Sequence, residues 1–150
     1  MDAKTYLRRP QRIRADITIL QERIKSLRIN MLPKAVNYDK DPVQTSPHDP
    51  MPDFAAKIDE LNRELYERWK DFEASIDDIT KTIDKIEDDD VRSIMAQRYL
   101  GKKPWRVIER DMFVCEREVY YMHRKGLRAV EKIITEKQNF AVNCSFKVIE

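Results

Sequence analysis

The sequence predicts an all-α protein in which a long antiparallel coiled-coil hairpin precedes a small helical domain. Two stripes of apolar residues at helical spacing and a segregation of charge along the chain lead to this prediction. Only two glycines occur among the 150 residues, and 37% of the residues are charged. Such a composition is typical of helix-rich chains.

The first stripe runs from Ile13 to Met31 in steps of four and three residues. This spacing places the apolar side chains along one seam of a helix, as in a coiled coil. Pro10 fits a first helical turn and Pro33 lies beyond the stripe, so a helix over residues 11–31 is expected. Residues 32–52 hold five of the seven prolines and predict a long Pro-rich loop.

The second stripe begins at Phe54 and ends at Ile86, and it predicts a helix over residues 53–87. At about 1.5 Å per residue this helix is about 52 Å long, against about 31 Å for the first, so it overhangs its partner. Residues 1–87 form the predicted hairpin. Trp69 in this stripe, like Trp105 later in the chain, is expected to anchor a core.

Charge is unevenly distributed along the chain. Residues 1–34 carry nine basic and three acidic side chains, residues 53–90 carry six and fourteen, and residues 91–138 carry twelve and six. In an antiparallel hairpin, basic residues at the start of the first helix would lie near the acidic end of the second, from Asp77 to Asp90, and would fix the orientation. An auxiliary phosphate contact is the alternative role for these basic residues, which are Arg8, Arg9, Arg12 and Arg14.

Residues 88–138 predict a second domain, which begins with a short helix. Asp88, Asp89 and Asp90 precede apolar residues at helical spacing, and an aspartate in this position can cap free backbone N–H groups. The helix is expected over about residues 91–100 and to end at Gly101 in the manner of a C-cap.

Two further helices are expected to form a helix-turn-helix over residues 104–130. Pro104 suits the first position of a short helix that ends near Phe113. A longer helix follows over about residues 115–137, with its apolar side facing inward and its first turn exposed.

The segment over residues 92–133 resembles the C-terminal part of small phage proteins of the RinA and ArpU class. These are late-gene transcriptional regulators with a module similar to region 4 of sigma factors. The resemblance rests on an RYL sequence, a following tryptophan and a V..LH...L helix, matched here by Arg98, Tyr99, Leu100, Trp105, Val119, Met122, His123 and Leu127. The VQTS sequence at residues 43–46 is similar to the middle portion of the same family.

Three residues depart from the family's pattern. Glu109 stands where a small residue is usual, Phe113 where glycine is usual, and Cys115 where a serine caps the helix. Cysteine is a poor cap. These changes are expected to alter the angle between the two helices, and therefore which residues of the second helix reach the bases. The apolar residues that pack the module are all present.

The resemblance and the helix geometry together imply a site for double-stranded DNA on the last helix. Such a helix lies in the major groove with its N-terminal residues against base edges, and flanking cations hold phosphates. The candidates for base reading are Glu116, Arg117, Glu118, Tyr120 and Tyr121. The candidates for phosphate contact are Lys102, Lys103, Arg106, Arg124, Lys125 and Arg128.

The expected function is that of a sequence-specific, double-stranded DNA-binding transcription regulator, a phage or prophage activator of late genes. Its hairpin would make it a homo-oligomer or contact the host RNA polymerase. A DNA-packaging protein resembling a small terminase subunit is one alternative, because such proteins also join a helix-turn-helix to coiled-coil helices. A protein-binding helical adaptor that has lost DNA reading through the changes at Glu109 and Phe113 is the other.

An enzyme is not expected. His123 has no serine or cysteine poised to act with it, His48 lies in the Pro-rich loop, and two glycines cannot form a glycine-rich phosphate cradle. His123 is expected instead to pack between helices or contact phosphate. Adjacent carboxylates at a helix start point apart, so neither a metal site at residues 88–90 nor any cofactor is expected.

The remaining expectations concern the compartment and the last residues. Cys115 and Cys144 are too few for a disulfide framework or a zinc site. The polar N-terminus and the lack of an apolar run of about 18 residues predict a protein of the bacterial cytoplasm without membrane contact. Apolar and polar residues alternate from Phe140 to Val148, which predicts an extended tail over residues 139–150 that pairs with a strand of another chain. A disordered or loosely docked tail is the alternative.

Overall fold

The computed structural model describes residues 2–30 and 51–146, with side chains as far as Asn139. These ranges contain six helices: α1 Ala3–Leu7, α2 Arg9–Asn30, α3 Met51–Ile83, α4 Asp89–Tyr99, α5 Trp105–Met112 and α6 Glu116–Phe146. All regular secondary structure in these ranges is helical, which confirms the prediction of an all-α protein. The predicted Pro-rich loop lies outside the described residues, except for its last two, which belong to α3.

The chain divides into two compact units, one of residues 11–72 and one of residues 1–10 together with residues 73–150. The helix α3 therefore contributes to both units, whereas the sequence predicted a division between residues 87 and 88. The difference arises because the last turns of α3 bury Ile79 and Ile83 in the same apolar cluster as side chains of α4 and α6.

The unit of residues 11–72 is built on a narrow apolar seam. Leu20 and Ile24 of α2 are buried with Leu61 of α3. The partly buried residues packed against this cluster are Leu27, Ile58 and Leu65. All six belong to the two stripes seen in the sequence. A seam of three fully packed side chains, each stabilising by about 1.5–3 kcal/mol, leaves most of both helices in solvent.

Contacts in this unit follow opposite orders along the two helices. The Arg14 guanidinium, near the start of α2, lies 5.9 Å from the ring centroid of Phe72, late in α3. Further along α2, the charge of Arg23 contributes to holding the pKa of Glu60, earlier in α3, below its ordinary value, although the hydrogen bond from Lys57 is the larger cause. Charged side chains therefore lie both beyond the Leu20 end of the seam and along its side.

Trp69 is not the core anchor that the sequence predicted. Its side chain is 36% exposed, and its ring meets the Phe72 ring edge-on at 5.6 Å. Two successive four-residue steps lead from Leu61 to Trp69, and each step advances about 40° beyond a full turn. The indole is thus carried away from the seam that Leu61 occupies.

The unit of residues 1–10 and 73–150 contains the larger core. Ala3, Tyr6 and Leu7 of α1 are buried there, which the sequence did not predict because a helix of five residues is too short to show a period. Buried with them, from α3 onward, are Ile79, Ile83, Ile86, Val91, Met95, Tyr99, Val130 and Ile134. The first helix predicted at residues 11–31 is observed as α2, preceded by the separate α1.

Polar side chains fasten α1 to this core. The Tyr6 hydroxyl donates to Asp78 Oδ2 at 2.6 Å and lies 2.9 Å from Thr82 Oγ1. From α6, Lys137 Nζ donates to Asp78 Oδ1 at 2.9 Å and to Thr82 Oγ1 at 2.8 Å. Burial would raise the pKa of Asp78, but the hydrogen bonds from Tyr6 and Lys137 outweigh it and the pKa lies below its ordinary value. The carboxylate is therefore charged and satisfied, and it links α1, α3 and α6.

The predicted end of the second helix and the predicted conformation of the tail are wrong. The helix predicted to continue to residue 87 ends at Ile83, because the chain must leave the helix for Asp88 to cap α4. Ile86 stays buried from the connecting turn. The tail predicted as extended is helical from residue 139 to Phe146. Extending an existing helix adds a hydrogen bond with each residue, whereas a lone strand has no partner for its backbone.

Candidate nucleic-acid interface

The helices α4, α5 and α6 enclose a second cluster of buried side chains, to which each helix contributes one. Ile94, Ile108 and Val119 are each 0% exposed. The partly buried residues around them are Trp105, Met112, Val114 and Met122. Burying three such side chains stabilises the arrangement by about 1.5–3 kcal/mol each, so the relative placement of the three helices is set by packing.

The start of α4 is capped as the sequence predicted. The Asp88 side chain accepts a hydrogen bond from the Val91 N–H at 3.1 Å. Its other oxygen, Oδ2, lies 2.6 Å from Lys125 Nζ of α6. The hydrogen bond from Lys125, followed by that from Val91, holds the pKa of Asp88 below its ordinary value. One carboxylate thus caps α4 and ties it to α6.

The connection from α4 to α5 is held by Arg98. Its guanidinium lies 4.4 Å from the ring centroid of Trp105 and donates to the Lys103 carbonyl oxygen at 2.9 Å. Gly101 does not take a left-handed conformation, contrary to its predicted role as a C-cap; Lys102 does, with a φ of 53°. A Cβ at Gly101 would lie 2.9 Å from the Gln97 carbonyl oxygen, and this close approach explains the glycine.

The turn between α5 and α6 is built around Phe113. This residue has a φ of 56°, in the left-handed region that bulky side chains rarely adopt. Its N–H and that of Val114 donate to carbonyl oxygens of the last turn of α5, and its side chain is 95% exposed. The conformation that glycine usually supplies at a helix C-terminus is imposed here on a phenylalanine by the packing on either side.

His123 lies inside the unit, between α4 and α6. Its Nε2 is 3.0 Å from the Tyr99 hydroxyl, and its ring meets the Trp105 ring at a centroid distance of 4.9 Å. Burial, followed by the charges of Arg98, Lys4 and Arg8, lowers the pKa of His123 from 6.5 to about 4. The imidazole is therefore neutral at physiological pH and serves in packing, one of the two roles expected for it.

The outward side of α6 presents one continuous polar stripe. Arg117, Tyr121, Arg124 and Arg128 are spaced by four, three and four residues, which places them on one face of the helix. All four are exposed, and the three arginines form no ion pair with any residue of the described ranges. The first three line a shallow depression with Cys115 and Glu118. The stripe combines two predicted base readers with two predicted phosphate contacts.

The other predicted residues are distributed around this stripe. Glu116 and Glu118 are exposed in the first turn of α6. Tyr120 is 38% exposed, and its ring packs at 5.1 Å on that of Trp105. Two further cations, Lys102 and Arg106, are exposed around the start of α5.

Two of the predicted phosphate contacts are engaged within the protein. Lys103 Nζ lies 2.8 Å from Asp111 Oδ2, and Lys125 Nζ lies 2.6 Å from Asp88 Oδ2. Such exposed ion pairs contribute little to stability. Nothing in the spacing of the sequence indicates these pairings, because their partners are eight and 37 residues away.

Comparison with known proteins gives no match: no family model, no curated protein and no solved structure is similar to this chain. Within the ranges that the structure describes, no helix is both long and apolar enough to cross a membrane. No group of three or more histidine, cysteine, aspartate or glutamate side chains in the same ranges is arranged to hold a metal ion.

Proposed function

We propose that this protein is a sequence-specific, double-stranded DNA-binding transcription regulator, in which α5 and α6 form a helix-turn-helix and α6 reads the major groove. The observation that carries the proposal is the exposed stripe of Arg117, Tyr121, Arg124 and Arg128 on a helix whose other side is fixed by the core. Arginine on such a helix can bind guanine through two hydrogen bonds, and further cations along the helix can hold phosphates.

The connection between α5 and α6 supports the same proposal. A helix-turn-helix needs a tight turn that sets the angle between its helices, followed by a second helix with exposed N-terminal residues. The left-handed residue at Phe113 makes such a turn, and Ile108 packs beside Val119 across it. The predicted difficulty at Phe113 is thus accommodated by pointing the phenyl ring into solvent.

The biological role within this proposal follows from the resemblance to phage regulators. We propose that the protein activates late genes of a phage or prophage in a bacterial cytoplasm, and that an antiparallel coiled-coil hairpin formed by α2 and α3 mediates self-association or contact with the host RNA polymerase.

The Arg117→Ala variant is expected to lose sequence-specific binding. Removing a bidentate contact to guanine costs about 1–3 kcal/mol, which lowers affinity for the preferred site about 10- to 100-fold and leaves affinity for random DNA nearly unchanged. The preferred site would first be obtained by selecting bound fragments from the source genome. Fluorescence anisotropy at constant salt would then give both affinities.

Arg68→Ala is the matched control, because Arg68 is an exposed arginine of α3 in the other unit. It should bind as the unchanged protein does. The proposal fails if the unchanged protein shows no site preference, or if Arg117→Ala and Arg68→Ala have the same affinities for the selected site.

The mass in solution distinguishes regulation from DNA packaging. A regulator is expected to be a dimer or tetramer, whereas a protein resembling a small terminase subunit would assemble into a ring of about eight or more copies. Light scattering coupled to size-exclusion chromatography would measure this. A ring would favour packaging, and a protein of any mass without detectable DNA affinity at low salt would favour the helical adaptor.

A further inference from the structure

The first helix of the chain is docked on the same unit that carries the arginine stripe. Ala3, Tyr6 and Leu7 of α1 are buried in one cluster with Tyr99 of α4 and Val130 of α6, and α1 contacts α6 directly. The hydrogen bonds of Tyr6 with Asp78 and Thr82 fasten it further. The side of α1 that is not buried is therefore held rigidly beside the candidate interface.

That exposed side is basic. Lys4 lies in α1, and Arg8 follows the helix directly with a backbone that is still right-handed helical (φ −90°, ψ −2°). Four residues apart, the two lie on the same side, and both are exposed. Neither forms an ion pair with any residue that the structure describes. A lysine and an arginine that form no ion pair, beside the proposed DNA-binding surface, are available for an anion.

Lys4 and Arg8 also join a third cation. Both lie close enough to His123 for their charges to act on it together with that of Arg98. Burial raises the pKa of neighbouring Tyr99, the charges of Arg8 and Arg98 lower it, and the carboxylate of Asp2 raises it, so Asp2 belongs to the same group. Three cations and one anion together retain a positive charge. Like charges held together repel each other, and an anionic partner relieves that repulsion.

Lys4, Arg8 and Arg98 can be compared with the cations on another side of α6. Lys125, Arg128 and Lys132 line a groove between α6 and the connection from α3 to α4. His123 and Lys125 are two residues apart, which corresponds to about 200° around the helix. The cations that act on His123 therefore lie on a different side of α6 from Lys125, and Arg128 belongs both to the groove and to the outward stripe.

We propose that α1 is a second phosphate-contacting element, in which Lys4 and Arg8 together with Arg98 hold the DNA backbone on the flank of α6 opposite to Lys125. The inference rests on the proposed function, because it needs α6 to lie in the major groove. A helix in that groove has a phosphate backbone on each side, and cations on one flank alone would contact only one strand.

The test is the salt dependence of DNA binding by the full chain. Anisotropy titrations of a labelled random-sequence duplex at several KCl concentrations would compare the unchanged protein, Lys4→Gln/Arg8→Gln and the control Lys25→Gln/Arg28→Gln. The control removes the same charge from exposed positions of α2 in the other unit. Loss of two phosphate contacts reduces the slope of log K against log[salt] by about 1.8. We expect this reduction in the first variant and none in the control.

Each outcome decides a separate point. An unchanged slope in Lys4→Gln/Arg8→Gln, or an equal reduction in the control, overturns the role of α1 while the proposed function stands. If the unchanged protein binds no DNA, the proposed function fails and this inference fails with it. NMR titration of His123 without DNA checks the placement independently: its pKa should rise in Lys4→Gln/Arg8→Gln, and a pKa that does not move would show that the two residues do not face this site.

Discussion

Replacing Gly126 by leucine is expected to lower the free energy of unfolding by about 3 kcal/mol. A Cβ at this position of α6 would lie 2.7 Å from Met95 Cγ and Sδ and 3.1 Å from Val91 Cγ1 of α4. Both α4 residues are almost wholly buried, so neither can move aside without disturbing the core. Overpacking of this kind costs about 1–3 kcal/mol or more, and the roughly 1 kcal/mol by which glycine disfavours a helix offsets only part of it.

Urea denaturation of the full chain would measure the loss, with Thr135→Leu as the control. Thr135 is an exposed residue of the same helix, and its replacement should change stability by less than about 0.5 kcal/mol. Met95→Ala alone should cost about 2–5 kcal/mol through the cavity it leaves. Combined with Gly126→Leu it should cost clearly less than the sum, because the leucine fills that cavity. Additive effects would contradict the proposed contact between α4 and α6.

Stability is expected to fall as the pH decreases from about 6.5 to about 4, because His123 must be neutral in the folded protein. Its pKa is lowered from 6.5 to about 4, first by burial and then by Arg98, Lys4 and Arg8. Between these values the unfolded chain binds a proton that the folded protein does not, so protonation favours unfolding. Above about pH 6.5 the protonation of His123 does not reduce the free energy of unfolding. Through the window from 6.5 to 4 it lowers that free energy by about 3 kcal/mol.

His123→Gln is the variant that tests this pH dependence. Glutamine keeps a polar group toward the Tyr99 hydroxyl but does not titrate, so the variant should be less stable at pH 7 and nearly independent of pH between 6.5 and 4.5. Urea unfolding at half-unit intervals would show the difference. A slope in the variant equal to that of the unchanged protein would assign the effect to other groups, such as Asp78, whose lowered pKa places its own contribution at more acidic pH.

The elements with a repeated local pattern could be predicted from sequence. The two apolar stripes gave α2 and α3 to within a few residues, and Asp88 marked the start of α4 because a cap is a contact between near neighbours. The helix α1 could not be predicted in this way, since the burial of Tyr6 and Leu7 is explained only by residues of α3, α4 and α6, more than seventy residues later. Trp69 shows that membership of an apolar stripe does not guarantee burial, because its spacing from Leu61 places it at a different angle around α3.

The candidate interface was predicted as a set of residue types and not as a surface. The spacing of Arg117, Tyr121, Arg124 and Arg128 could have identified one face, because it depends only on the helical period. The pairing of Lys103 with Asp111 and of Lys125 with Asp88 could not, because it depends on how α4, α5 and α6 pack. For the same reason Arg98 was expected only as part of a motif, whereas its stacking on Trp105 holds the connection before α5.

The length of α6 has a mechanical consequence. Its 31 residues correspond to about 46 Å of uninterrupted helix, with the exposed arginines near one end and Lys137, bonded to Asp78 and Thr82, in the second half. Arg117 and Lys137 are 20 residues apart, which corresponds to about 30 Å along the axis. The placement of the exposed arginines and the attachment of α1 therefore depend on the continuity of the same helix.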